Sequence, residues 1–118
     1  MKSVQWGTRI ATFHDFDVYA CNTKDLIKFT HPWKCARGID PDKSKRIADS
    51  YNHFLQTTID GAVCATHLED EGWVIFDGNH RIHGCRYFVT HDMNVLVHVY
   101  KFTHKNELTN KYRLLKIQ

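Results

Sequence analysis

Five consecutive residues, Asp77-Gly78-Asn79-His80-Arg81, gather a carboxylate, an imidazole and a guanidinium around one glycine. The set suits an anion. His80 and Arg81 can donate to phosphate oxygens, and a guanidinium grips two oxygens at once in a geometry lysine cannot imitate. Gly78 lets the backbone turn tightly and approach a ligand. Asp77 is the odd member, since a carboxylate beside phosphate repels it unless a metal ion neutralises the pair or a proton is being moved. Two chemical roles follow: a Mg²⁺ ligand, or a base that takes a hydroxyl proton as phosphate transfers. The structural alternatives are a hydrogen bond from the turn to Asp77 and a surface salt bridge for Arg81. The second is disfavoured, because the helix dipole opposes a cation at a helix start.

The flanking residues place this stretch at a corner. Trp73-Val74-Ile75-Phe76 is an apolar run that reads as a buried strand, and residues 81–90 read as a helix with Ile82, Cys85, Phe88 and Val89 inward. The first N–H groups of that helix lack intrahelical partners and are open to an anion. Upstream, Asp40-Pro41 marks a helix start, with aspartate as cap and proline at the first helical position. Ile47, Tyr51, Phe54 and Leu55 continue it as an apolar face. Lys43, Lys45 and Arg46 lie largely off that face, as a solvated basic cluster.

The remaining elements follow from period and turn residues. Residues 6–20 suggest a hairpin or two short strands, Asn22-Thr23 caps a brief turn, and residues 30–37 form a loop. Residues 62–66 and 73–76 make a hairpin around Glu69-Asp70-Glu71-Gly72. Val95, Val97 and Val99 alternate along a closing strand, and a last helix from about Lys105 docks through Leu108, Tyr112 and Leu115. The sum is one compact α+β (mixed α/β) domain over residues 1–118, a small mixed sheet flanked by helices.

The run Val74-Ile75-Phe76-Asp77-Gly78-Asn79-His80-Arg81-Ile82-His83-Gly84 resembles the signature box of the ParB/sulfiredoxin superfamily: a strand, an Asp-Gly-x-His-Arg turn, then a helix with a small residue three positions on, here Gly84. Arg37-Gly38-Ile39-Asp40 and the following basic helix are similar to the family's upstream part, and the likeness spans roughly residues 25–102. The resemblance implies a nucleotide-binding core. In it Arg37, Gly78, Asn79, His80 and Arg81 hold phosphates, and Asp77 manages Mg²⁺ or a proton beside ATP or another NTP. Asp77 and His80 are then the catalytic candidates. Free-serine kinases of the superfamily resemble this box closely. Sulfiredoxin's box cysteine is replaced here by Asn79, so sulfinic-acid reduction is not expected. Nor is operator binding, since the chain is expected to lack the helix-turn-helix domain of partition ParB proteins.

Composition narrows the field further. A hydrophobic fraction of 42% with 13% aromatics is that of a folded domain, not a disordered one. A net charge of +3 permits nucleic-acid contact without demanding it. Cys21, Cys35, Cys64 and Cys85 are scattered without a Cys-x-x-Cys pair, so free thiols in the cytoplasm are expected. No secretory segment is expected after Met1, and no apolar run approaches the roughly 20 residues that span a bilayer. His80 and His83, three apart, raise a histidine-held metal with Cys85, His67 or His98, but no spacing matches a structural zinc pattern. His83 is expected to be solvent-exposed. Three activities remain open: a nucleotide-dependent phosphotransferase or NTPase, a ParB-like DNA nuclease with His80 or His83 as acid or base, and a non-catalytic nucleic-acid- or protein-binding module.

Overall fold

A computed structural model describes residues 3–102 and 104–117. Strand β1 (Ser3–Val4) leads into β2 (Gly7–Thr12) and β3 (Phe16–Asn22), then helix α1 (Thr23–Phe29) and the short β4 (His31–Pro32). Helix α2 (Pro41–His53) follows, then β5 (Val63–Leu68), β6 (Gly72–Asp77), α3 (Asn79–Tyr87), β7 (Asn94–Tyr100) and α4 (Lys105–Ile117). The seven strands form one sheet in the order β1-β2-β3-β7-β5-β6-β4. It is mixed: β5 runs parallel to β7 and β4 parallel to β6, while the other neighbours are antiparallel. The expected α+β class, a mixed sheet flanked by helices, is what the chain forms.

Helices cover the sheet from both sides. Leu26 of α1, Tyr51 of α2 and Ile82 of α3 pack with Val63, Ala65, Ile75, Val95 and Val97 in one core cluster. On the opposite face Leu108 of α4 is fully buried with Trp33, Val74, Phe76 and Tyr100, and Tyr112 and Leu115 pack against them. Two-sided cover explains why Val74, Ile75 and Phe76 are all buried in succession, as strands sandwiched between layers read. Among the described residues, no helix is long and apolar enough to cross a membrane.

Helices α2 and α3 lie side by side in the same direction, tied at three levels. At the start, the Asp40 N–H donates to His80 Nε2 at 3.0 Å. At mid-length, a Cβ added to Gly84 would stand 2.8 Å from the Ser44 carbonyl oxygen and 3.4 Å from Ala48 Cβ, so only glycine permits this approach. At the far end, Asn52 donates to the Phe88 carbonyl at 2.9 Å and accepts from the Thr90 N–H at 3.1 Å.

Local reading of the sequence departs from the structure in several places, among them the brief turn expected after Asn22, which is helix α1. Phe54 and Leu55, expected on the apolar face of α2, are 72% and 74% exposed. The helix stops at His53, and Leu55 takes a left-handed φ of 49°, because Asn52 anchors this end while the chain turns away. Helix α3 starts at Asn79 and ends at Tyr87 instead of covering 81–90, and the Thr90 N–H is taken by Asn52. The loop expected over 30–37 contains β4, whose pairing with Val74 and Ile75 is a tertiary event; proline is admissible there because β4 is an edge strand. His83, expected in solvent, is half-buried.

If the α2–α3 approach depends on the missing side chain, Gly84→Val should cost on the order of 2 kcal/mol through overpacking. Urea denaturation measures it. Gly38→Ala, where an added Cβ meets nothing within 4 Å, should leave the midpoint unchanged.

Candidate functional site

The corner between β6 and α3 opens onto a cavity of about 200 Å³. Its walls come from four places: Ala36 and Arg37 before α2, Lys43 and Ile47 on α2, residues 76–81 of the corner, and Tyr112 and Lys116 on α4. Gly78 makes the corner. Its φ of 92° lies in the left-handed region, and a Cβ there would stand 2.9 Å from the Val63 side chain.

The two helix starts at this cavity differ. Asp40 caps α2, its Oδ1 accepting from the N–H groups of Asp42 at 3.0 Å and Lys43 at 3.4 Å. Helix α3 has no side-chain cap, and its first turn carries no acidic residue. Its leading N–H groups are therefore the donors left for an anion.

Each sequence-predicted residue borders the cavity, but several are already engaged. Arg81 sends Nη1 to the Asp60 carbonyl at 2.6 Å and Nη2 to the Ala62 carbonyl at 3.2 Å, so its fork closes on the loop between α2 and β5. That loop turns two carbonyls to Arg81, and a guanidinium with five donors can serve them and still border the cavity. Asn79 spends its amide on the Ile75 carbonyl at 3.0 Å, which leaves its backbone for a ligand. His80 accepts from Asp40 through Nε2, so in this arrangement the proton of the neutral ring is on Nδ1. Burial, and then the nearby Lys43, hold the His80 pKa below its ordinary value.

Arg37 anchors its loop by its backbone: its N–H donates to the Tyr112 hydroxyl at 2.6 Å, and its exposed guanidinium makes no hydrogen bond or ion pair among the described residues. Asp77 pairs with Lys116, Nζ to Oδ1, at 3.4 Å. Beneath the corner, Cys64 is registered opposite Asp77 and buried; burial, with Asp77 adding to it, raises its thiol to about 11, which makes it a poor nucleophile. All four cysteines are free thiols.

Lys43, Tyr112 and Lys116 were not singled out as site residues by local reading. Lys43 was legible only as one charge of a solvated cluster, and Tyr112 only as part of a docking face. Lys116 reaches Asp77 because α4 folds back across β6, which no local pattern announces. The four-residue spacing of Tyr112 and Lys116 places both on one helix face, and Lys116 sits over the Tyr112 ring at 5.1 Å.

Among the described residues, no three His, Cys, Asp or Glu side chains lie close enough to hold a metal on protein ligands alone. Mg²⁺ that arrives with phosphates needs only one or two carboxylates, and Asp77, on the cavity wall, fits that use.

Compared with known proteins, the chain matches no family model, no curated protein and no solved structure at a significant level.

The His80 contact has a pH consequence. The folded state disfavours the protonated ring, so the unfolded chain binds more protons as pH falls below the ordinary value of 6.5. Stability is thus full above that value and declines towards the lower folded pKa. Between about pH 7 and pH 5, urea midpoints should fall less in His80→Gln, whose carbonyl can still accept from Asp40, than in the parent.

Proposed function

We propose that the cavity at the β6–α3 corner is the phosphate site of a nucleotide-dependent phosphotransferase or NTPase. One observation carries this reading: an uncapped helix start opens into a cavity bordered by Arg37, Lys43, Arg81 and Lys116, with one carboxylate among the described residues, Asp77, on its wall. Cations gathered around free backbone donors are an anion's environment. One phosphate oxygen would meet the N–H groups of α3, and Arg37 and Lys43 would flank the chain of phosphates. The Nδ1–H of His80 adds a neutral donor. The resemblance of the box to the ParB/sulfiredoxin superfamily supports the same chemistry.

Asp77 is the group that separates catalysis from simple binding. In its present pairing with Lys116 its charge is offset. With Mg²⁺ brought in by the nucleotide, Asp77 would hold the ion, whose charge would offset that of the phosphates. Lys116 would then be released to the phosphate oxygens. If the acceptor is a hydroxyl, Asp77 is also placed to take its proton. For the ParB-like nuclease reading, with His80 or His83 as acid or base, His80 Nε2 is held by the Asp40 N–H, which leaves only Nδ1 of that ring for the role.

The test is a thermal-shift series with ATP, CTP, GTP and UTP, with and without Mg²⁺. At least one nucleotide should raise the Tm, and more so with Mg²⁺. Arg37→Ala and Lys43→Ala remove exposed side chains and should each weaken binding about tenfold, the worth of one charge-assisted contact. Asp77→Asn should retain nucleotide binding and lose the Mg²⁺ increment. No shift with any nucleotide, or equal shifts in all variants, would sink the reading. Nicking of plasmid DNA that stops in Asp77→Ala would favour the nuclease instead.

A further inference from the structure

A second cavity, of about 180 Å³, shares one wall residue, Asn79, with the first. Its wall is more apolar than the cradle's, although His31, His83 and Arg86 also line it. Ile27 of α1, Ile39 before α2, Ile75 of β6 and Ile82 of α3 line it. A phosphate entering there would lose part of its hydration to hydrocarbon. A ligand that spans the two cavities therefore needs an anionic end and an apolar one.

Two further features narrow the apolar end to a planar heterocycle. Tyr87 lines the slot yet is 58% exposed, with the Arg86 guanidinium over its ring at 5.2 Å. An exposed aromatic ring backed by a guanidinium is a stacking surface for another π system. His83 also lines the slot, its ring 4.7 Å from that of Tyr87. Its Nδ1 is buried and has no hydrogen-bond partner among the described residues. His83, on the slot wall, offers an imidazole edge to a polar group on a bound heterocycle.

We propose that this slot holds the base of the nucleotide, with Tyr87 stacking on its face and His83 meeting its edge. The proposal rests on the cradle being a polyphosphate site, and it assigns to a separate set of residues the discrimination between a nucleotide and bare phosphate. An aliphatic acyl chain would suit the isoleucines but would leave the stacking surface unused.

Isothermal titration of the full chain with ATP, CTP, GTP, UTP and inorganic tripolyphosphate, with Mg²⁺ throughout, tests it. At least one nucleotide should bind more tightly than tripolyphosphate. Tyr87→Ala should weaken that nucleotide about tenfold and leave tripolyphosphate unchanged, whereas Tyr87→Phe should keep the nucleotide affinity. Circular dichroism verifies that both variants are folded, as the exposure of Tyr87 leads one to expect. If tripolyphosphate and all four nucleotides bind alike, or if Tyr87→Ala weakens both ligand types equally, the base slot is wrong while the cradle stands. If neither tripolyphosphate nor any of the four nucleotides binds, the cradle reading fails, and with it the proposal.

Discussion

Helices α2 and α3 are held with their positive ends together, and the site is built on that constraint. Two parallel helices set start to start oppose each other through their dipoles, each end carrying roughly half a positive charge. Lys43 adds to the opposition. The packing at Gly84 forces the helices close, and the His80–Asp40 bond locks the starts in register. Part of the repulsion is offset inside the protein by the Asp40 cap on α2. The other helix start has no such cap. The same geometry that makes the pair electrostatically tense leaves the uncapped start of α3 at the cavity between them.

Helix α4 completes the site from the other side of the sheet. Its apolar face covers Phe76 and Val74, and its last turns bring Tyr112 to the Arg37 N–H and Lys116 to Asp77. Packing and charge placement are thus joined in one element: the helix that buries the second core face also closes the cavity wall. Asp77 stands between Lys116 and the free donors of α3, where a change in its partner alters the charge seen by any ligand.

Much of this architecture could be read locally. The apolar run before Asp77, the Asp-Pro start of α2 and the valine alternation of β7 each carry their own periodicity or cap chemistry, and each forms the element expected. Element ends were less legible. Phe54 and Leu55 continue a helical spacing, but α2 stops at His53, where Asn52 is bound to the end of α3, a partner 36 residues away. Strand β4 depends on its pairing with β6 and leaves no alternating pattern in two residues.

By itself the sequence determined that a glycine corner with one acid and two basic side chains joins a strand to a helix. The types of Asp77, Gly78, His80 and Arg81 limit what their atoms can donate, accept or neutralise wherever the chain takes them. Only the tertiary structure decided how those atoms are divided. It turned the Arg81 fork onto the carbonyls of residues 60 and 62, the Asn79 amide onto Ile75 and His80 Nε2 onto Asp40. Lys43 and Lys116 came to the cavity from other helices. The reason is physical: a side chain's hydrogen-bonding capacity is intrinsic, but its nearest unsatisfied partner depends on which distant backbone the packing brings within reach.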